Sequence, residues 1–473
     1  MNNKKQFKMR KSILTVAAAL FVSSIMFAQL RPTDQTGINV FETPKTDVQF
    51  NGPKVEFGGA ISMPYIALTQ SNDVVNTNPA LNSQALFKNT PNFALSMANL
   101  YINSYLADGI TLNVTLYLAS KHHNETWVKG GYVQMDKIPF IHLDLLDNIM
   151  KYTTIKVGQM DVNYGDAHFR RSDGGNGIYN AFMENYIMDE FATEIGAEAD
   201  VNVNGVVGSV EVTDGELNPN LAAVDTTLAS SKYANGKRNP SFIAKLGYDK
   251  QFTDKFRARL TGSVYTTAGS GSNTLFGGDR TGSNYSAVMY NQAPGTTTAF
   301  NGRYNPGLSD RVTTFMGNLF LKYNLMDALS VESFSTLEAA NGAKASEATD
   351  RKANQFATDL IFRFGKAENF FLGARYNTMN ADVPASSAKS AASLNTANAT
   401  AGTPTSYTIG QDALPAYTMA ISRLAISGGW YVTKNIMAKV EYSNQKYSGV
   451  PNVNYIFNGA EFHGLSAEAV IAF

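Results

Sequence analysis

The sequence predicts an all-β protein, a transmembrane antiparallel β-barrel of about 16 strands, or about 18 if one long loop contains a further hairpin. Three observations predict this fold. Apolar and polar residues alternate over many short segments, and tight turns alternate along the chain with long polar segments. Beyond residue 28, the chain has no run of about 18 apolar residues that could form a spanning helix.

The first 28 residues have the features of a secretory signal peptide. An apolar run covers residues 13–27, and the small residue Ala28 occupies the expected cleavage position. A transmembrane anchor is the alternative, but the run is shorter than the roughly 20 residues that a spanning helix needs. The basic residues before the run are Lys4, Lys5, Lys8, Arg10 and Lys11. We therefore expect residues 1–28 to direct export and to be removed.

Composition excludes several function classes. The chain has 39 Lys+Arg and 39 Asp+Glu, and residues 1–28 hold five of the bases and no acid, so the mature chain has a net charge of about −5. Such a chain has no strongly basic surface for nucleic acid. It contains no cysteine, which excludes an acylated lipoprotein, disulfides and thiolate metal sites. We expect no metal and no other cofactor.

The clearest strand covers residues 110–118. Ile, Leu or Val occupies every second position from Ile110 to Leu118, and Thr, Asn or Tyr occupies the positions between them. This period of two predicts a strand with one apolar and one polar face. Between two other such segments lies Asn204-Gly205, the dipeptide that type I′ hairpin turns prefer. In chain order, we expect strands over residues 54–66, 92–106, 109–119, 126–136, 151–162, 191–203, 206–213, 241–251, 256–267, 312–325, 329–339, 354–365, 369–379, 416–432, 436–446 and 461–473.

Long polar segments separate the predicted hairpins on one side only. Short periplasmic turns and long extracellular loops are typical of outer-membrane barrels, whereas a soluble β-sandwich has no reason to segregate loop lengths in this way. We expect residues 29–52 to form a periplasmic N-terminal segment and residues 53–473 to form the barrel. The long segments cover roughly residues 67–91, 163–190, 214–240, 267–311, 340–353, 380–414 and 447–460.

The last predicted strand alternates up to an aromatic residue. Leu465, Ala467, Ala469, Ile471 and Phe473 occupy every second position. This arrangement resembles the terminal signal by which the barrel-insertion machinery recognises its clients. We therefore expect that machinery and the outer-membrane lipid as partners of this chain.

Charged residues on the polar faces of the strands are expected to line the lumen. A charged side chain on the lipid face of a barrel costs about 2–4 kcal/mol at the bilayer midplane, so the inward face is strongly preferred. The alternative for each of them is a solvated lumen charge without a role in selectivity. The assigned wall residues are Glu194, Glu198, Lys245, Arg257, Arg259, Lys322, Arg363, Arg375, Arg423 and Lys439.

Residues 163–190 follow the fifth predicted strand and form the candidate constriction loop. They combine acids and bases with apolar residues that could fix the segment to the barrel wall. An acidic loop opposite a basic wall would create a transverse field that orients polar solutes. The charged residues of the loop are Asp166, Arg170, Arg171, Asp173, Glu184, Asp189 and Glu190.

Four short motifs carry a resemblance to a known family. They cover residues 37–42 (Gly-Ile-Asn-Val-Phe-Glu), 156–159 (Lys-Val-Gly-Gln), 169–173 (Phe-Arg-Arg-Ser-Asp) and 184–189 (Glu-Asn-Tyr-Ile-Met-Asp). With these motifs the mature chain resembles Bacteroidetes-type outer-membrane porins, which are distantly similar to phosphate-selective porins. The resemblance implies a barrel, passive diffusion and a homotrimer. Phosphate selectivity does not carry over, because it requires a lumen lined with Lys and Arg, whereas this chain is net acidic.

The expected function is that of a porin, a water-filled channel in the bacterial outer membrane through which small hydrophilic solutes and ions diffuse passively. A substrate-specific channel for a sugar, a peptide or an oxyanion is the alternative. No Ser/His/Asp set can be singled out among five His and many Ser residues, and barrel enzymes use about ten to twelve strands, so we do not expect an enzyme.

Overall fold

The computed structural model describes residues 31–42, 45, 50–74, 86, 89–94, 96–119, 126–172, 176–215, 239–270, 273–276, 288–289, 302–344, 347–386, 413–453 and 455–473. The predicted signal peptide at residues 1–28 and the predicted loop residue Asp173 lie outside the described residues. Within the described ranges, no helix is both long enough and apolar enough to span a membrane.

Among the described residues, seventeen strands form one antiparallel sheet that closes into a barrel. β2 and β3 both pair with β1, so they form one interrupted strand of a barrel with 16 strand positions. This confirms the predicted fold and strand count. The strands are β1 Lys54–Ser71, β2 Asn92–Phe93, β3 Met97–Ala107, β4 Ile110–Ala119, β5 Trp127–Met135, β6 Thr153–Asp161, β7 Thr193–Val203, β8 Val206–Thr213, β9 Ser241–Thr253, β10 Phe256–Thr267, β11 Arg311–Met326, β12 Leu329–Ala343, β13 Arg351–Phe364, β14 Phe370–Val383, β15 Tyr417–Thr433, β16 Ile436–Ser448 and β17 Glu461–Ala472.

The barrel closes between its first and last strands. Ala60 of β1 lies opposite Ala472 of β17, and the pairing continues to Ser71 opposite Glu461. Beyond it, the backbones of Gly59 and Phe473 exchange two hydrogen bonds of 2.9 Å. Closure pairs the backbone groups that an open sheet would leave unpaired at its edges, which a lipid environment requires.

The two faces of the barrel wall differ in polarity. On β13, Asp359 is 1% exposed and points inward, whereas its neighbour Leu360 is 45% exposed and points outward. Other outward side chains with high exposure are apolar, among them Leu246, Leu260 and Leu337. Exposed apolar side chains are stable where the surroundings are lipid. A closed barrel with an apolar exterior and a polar interior is the architecture of outer-membrane proteins, and the chain lies in the bacterial outer membrane.

The connections at one end of the barrel are mostly short turns. Asn204 and Gly205 connect β7 to β8 with φ values of 53° and 90°, the positive values that a type I′ turn requires. One connection at this end, residues 136–152, is longer and contains the helix α1 (Asp144–Met150). Met150 of α1 is buried against the barrel, whereas Leu145 is exposed. The period-two pattern used to find strands did not predict this helix.

Candidate functional site

The predicted constriction loop, residues 163–190, folds into the barrel. Its described residues form two short 3₁₀ helices, Ala167–Arg170 and Asn176–Tyr179. Ile187 and Met188 are fully buried, as is most of the described part of the loop. A segment with so little regular structure has many backbone groups that must be paired outside a helix or sheet. Inward side chains of the barrel wall provide those partners.

Basic wall residues donate to the backbone carbonyls of the loop. Arg375 Nη1 donates to the Glu184 oxygen at 2.7 Å, and Arg423 Nη1 donates to the Asn185 oxygen at 2.6 Å. The ammonium group of Lys439 donates to three loop carbonyls at 2.9 to 3.0 Å. The basic residues predicted to face solute therefore bind the loop to β14, β15 and β16.

Wall acceptors pair with the loop N–H groups. The Met183 amide donates to Glu441 Oε2 at 2.6 Å, and the Ile187 amide donates to Asn377 Oδ1 at 2.7 Å. Both acceptors are buried at inward positions of β16 and β14. Side chains of β14 to β16 thus bind both the N–H groups and the carbonyl oxygens of the loop backbone. These contacts define the path of the loop along this wall.

Asp166 anchors the start of the loop on the other side of the barrel. Its carboxylate accepts hydrogen bonds from Arg259 and Thr261 of β10, and Lys245 of β9 lies 3.3 Å away. Burial opposes ionisation, but the cationic groups of Lys245 and Arg259 outweigh it and hold the pKa of Asp166 well below its usual range. Asp166 is therefore a buried anion bound to the wall.

The two arginines of the loop are also paired with acids. Arg170 Nη2 lies 3.2 Å from Glu332 Oε1 on β12, and Arg171 Nη2 lies 2.6 Å from Asp189 Oδ2 at the other end of the loop. The second pair connects the beginning and the end of the loop directly. These charges stabilise the conformation of the loop inside the barrel.

Glu184 and Glu190, the remaining described acids of the loop, are buried as well. Burial, together with the neighbouring Glu338 carboxyl on β12, raises the pKa of Glu190 well above its usual range. Both residues were predicted as charged residues of the constriction loop. Their burial places them within the packed part of the interior.

The ten predicted wall residues all lie at inward strand positions. Eight of them are at most 4% exposed, and only Arg257 and Lys322 are half-buried. Three strand-to-strand ion pairs join Arg363 to Glu332 (2.8 Å), Arg375 to Asp359 (2.6 Å) and Lys439 to Glu468 (2.9 Å). The loop lies against the basic strands and does not face them across the lumen. On that side, acids and bases therefore form ion pairs with each other. A role of these residues in ion selectivity stays a prediction.

The N-terminal segment (residues 31–42) occupies the barrel interior at the turn side. Gln35 Nε2 donates to backbone oxygens of the β13–β14 turn at 2.8 and 3.1 Å. Asn39 donates to a β12 carboxylate at 2.6 Å, and Glu42 lies 2.7 Å from Arg259 on β10. The segment therefore follows the barrel wall from the β13–β14 turn to β10, and Asn39 and Phe41 contact Arg170 and Phe169 of the loop.

A cavity of about 310 Å³, large enough to hold water molecules, remains between the loop, the N-terminal segment and strands β3 to β7. Tyr101, Asn113, Thr115 and Tyr132 are among the residues that line it. Sequence reasoning missed these residues because it selected charges. The same alternation that placed charges inward would have placed these uncharged residues inward too.

The charges that line the cavity mostly have partners. Lys156 lies 2.8 Å from Asp200 and 3.3 Å from Glu198. The guanidinium of Arg31 lies 3.6 Å from the centre of the Tyr179 ring, and burial lowers the pKa of Arg31 to about 10. Among the residues that the structure describes, no three His, Asp or Glu side chains are grouped so that they could hold a metal ion.

Several solved outer-membrane proteins have a similar general architecture. The outer-membrane expressed OmpT of Vibrio cholerae has a TM-score of 0.45 at 10% identity, covering 90% of this chain and 100% of that one. The outer-membrane channel DcaP of Acinetobacter baumannii has a TM-score of 0.45 at 10% identity (89% and 98% covered), and OprB of Pseudomonas putida has 0.44 at 8% (89% and 94%). No family model and no curated protein sequence matches the chain. Similarities at this level carry no information on function.

Proposed function

We propose that the chain is an outer-membrane porin through which small hydrophilic solutes and ions diffuse passively. One observation carries this proposal. The barrel interior is filled on the side of β14 to β16 by the loop at residues 163–190, whereas a cavity of about 310 Å³ with polar lining remains along β3 to β7. Polar lining and room for water are what a hydrophilic solute needs inside an apolar membrane.

The proposal assigns the solute route to one side of the barrel. Asn113 and Thr115 of β4 face the cavity, and Val114 between them faces lipid. Ser427 of β15, five strand positions away around the barrel, donates to a loop carbonyl at 2.7 Å and is covered by the loop. A solute on this route therefore passes Thr115 and contacts neither Val114 nor Ser427.

The test uses the absence of cysteine from the chain. Thr115→Cys, Val114→Cys and Ser427→Cys each introduce a single thiol, and ion current through planar bilayers is recorded before and after a charged, water-soluble methanethiosulfonate reagent. We expect the reagent to reduce the current through Thr115→Cys only. Folded protein that passes no ions would contradict the porin proposal. Ion current that the reagent does not change at Thr115→Cys would contradict the route.

We further propose two kinds of partner for this porin. The β17 strand, which ends beside Phe473 and closes the barrel against β1, would be recognised by the barrel-insertion machinery. A homotrimer is the second proposal, which follows from the resemblance alone. Chemical cross-linking of the protein in native membranes tests the trimer, and truncation of Phe473 tests the recognition through the yield of inserted barrel.

A further inference from the structure

The wall of the cavity contains an uncharged patch on three neighbouring strands. It consists of Tyr101 and Asn103 on β3, Asn113 and Thr115 on β4, and Tyr132 on β5. The strand register places Asn103 opposite Asn113, Asn113 opposite Tyr132, and Tyr101 opposite Thr115. The patch therefore combines two amides and a hydroxyl with an aromatic ring on each side.

The dimensions of this patch follow from sheet geometry. Neighbouring strands lie about 4.8 Å apart, so the β3 and β5 backbones that carry the two tyrosines are separated by about 10 Å. Gly158 of β6 lies opposite Tyr132 and has no side chain to pack against the tyrosine ring. A span of about 10 Å between the two tyrosine-bearing strands fits one or two sugar rings.

Asn113 gives the patch an unused hydrogen-bonding group. The side chain is 6% exposed, and neither its amide nitrogen nor its amide oxygen has a hydrogen-bond partner among the described residues. Buried polar groups are almost always paired, and a buried exception needs an explanation such as a water molecule or a ligand. A ligand that both donates and accepts hydrogen bonds at adjacent atoms would satisfy both groups of Asn113.

The charged residues around the patch are paired, and this pairing reduces their electrostatic attraction for an ionic ligand. Lys156 is held by Asp200 and Glu198, and the ammonium of Lys45 donates to backbone oxygens of the β5–β6 connection and β6. Arg31 stacks on Tyr179 and keeps one guanidinium nitrogen without a partner among the described residues. That nitrogen can serve a ligand hydroxyl as well as an anion, and the anionic probe below separates the two.

We infer that this patch is a binding site for an uncharged, polyhydroxylated solute, a mono- or disaccharide, on its way through the barrel. Aromatic faces pack against the C–H faces of sugar rings, and an amide can bond to two adjacent hydroxyls at once. The inference rests on the proposed porin function and names its solute class.

The test measures the block of ion current by defined solutes in planar bilayers that contain the purified full chain. Maltose is the probe, and we expect it to reduce the current saturably, with half-block on the order of 1 mM. Gluconate, triglycine and a short polyethylene glycol represent anionic, zwitterionic and uncharged non-sugar solutes. A saturable block by gluconate or triglycine and none by maltose would overturn the inference while leaving the porin proposal intact. A folded protein without ion current would contradict the porin proposal itself.

Variants then locate the site. Tyr132→Leu and Asn113→Ala should each raise the half-blocking maltose concentration about tenfold, the effect of losing one good contact. Tyr132→Phe keeps the ring and should stay close to the wild type. The matched controls are Tyr376→Leu and Asn354→Ala, which change exposed outward residues of β14 and β13. An equal effect of Tyr132→Leu and Tyr376→Leu, or an unchanged block in both cavity variants, would overturn the assignment to this patch.

Discussion

The guanidinium of Arg259 binds the carboxylate of Asp166 through two hydrogen bonds, 2.8 Å from Nε to Oδ2 and 2.7 Å from Nη2 to Oδ1. Both side chains are 1% exposed. Asp166 starts the loop that fills the interior, and Arg259 belongs to β10 on the barrel wall. The pair therefore joins the start of the loop to the barrel wall.

Breaking this pair should destabilise the folded barrel. Asp166→Asn leaves a buried guanidinium with less compensation, so we expect the free energy of unfolding in urea to fall by about 3–5 kcal/mol. The control is Asp108→Asn, which breaks an exposed pair with Lys137 at 3.2 Å (side chains 43% and 41% exposed). That change should lower the free energy of unfolding by about 1 kcal/mol or less. Equal losses in the two variants would contradict a special role of the buried pair.

The stability contribution of Glu190 should depend on pH. Its pKa in the folded state is raised by burial and by Glu338, so the protonated form is favoured in the fold. The contribution is fully present below the ordinary glutamate pKa of about 4.3 and is lost as pH rises through the raised value. Urea unfolding from acidic to alkaline pH should show wild type losing stability relative to Glu190→Gln. Parallel pH curves for the two proteins would contradict this, and the exposed turn variant Asp327→Asn serves as control.

Removing a basic or an acidic residue from the cavity should shift the ion selectivity of the channel in opposite directions. Lys156→Gln leaves Asp200 and Glu198 without their ammonium partner, and Asp200→Asn removes an acid from the same cluster. We expect the first variant to become more cation-selective and the second less so. A change of up to about fivefold is expected, since a unit charge about 4 Å from an ion is worth about 1 kcal/mol in water. Reversal potentials in a salt gradient measure this, and shifts of the same sign would contradict a solute route past Lys156.

Removing the N-terminal segment should widen the turn-side mouth. Replacing residues 31–42 with a Gly/Ser linker of equal length removes Arg31, Phe41 and Glu42 from the cavity lining. We expect single-channel conductance to rise and current fluctuations to increase, because the loop loses its contacts with Asn39 and Phe41. An unchanged conductance would mean that the segment does not lie in the ion path.

Deleting residues 166–186 should raise conductance further, because it empties the filled side of the interior. The barrel should still close, since Arg375 keeps Asp359 and Lys439 keeps Glu468 within the wall. Folding of the variant is checked by its heat-modifiable gel mobility. Unchanged single-channel conductance in a folded variant would contradict the inward position of the loop.

The strands could be read from the sequence because a barrel strand meets lipid on one face and the interior on the other. The predicted segment 416–432 corresponds to β15 (Tyr417–Thr433), and 436–446 corresponds to the first part of β16 (Ile436–Ser448). The strands extend furthest beyond prediction at the loop end, as in β12, which continues to Ala343. Small residues such as Ala339 and Ala340 occupy both faces there, so the alternation fades. The helix α1 was missed because only a period of two was sought.

The candidate site was predictable only in part. Alternation placed Arg259, Arg375 and Lys439 inside the barrel, and the position of residues 163–190 after the fifth predicted strand, with their apolar residues, indicated an inward loop. Nothing in the pattern indicated that residues 31–42 enter the mouth, because that segment is too short and irregular to have a period. The uncharged cavity residues were overlooked because a search for charge does not detect amides and tyrosines.

The sequence by itself determined that the chain is a barrel and which side chains face its interior, because facing inward or outward is a local property with a period of two. Only the tertiary structure decided which of the inward-facing groups contact one another. Arg259 and Asp166 are 93 residues apart, and Lys439 binds the carbonyl of Gly177, 262 residues away. Such partners depend on how a loop without regular structure satisfies its buried backbone groups and charges inside a closed wall, which is a property of the whole fold.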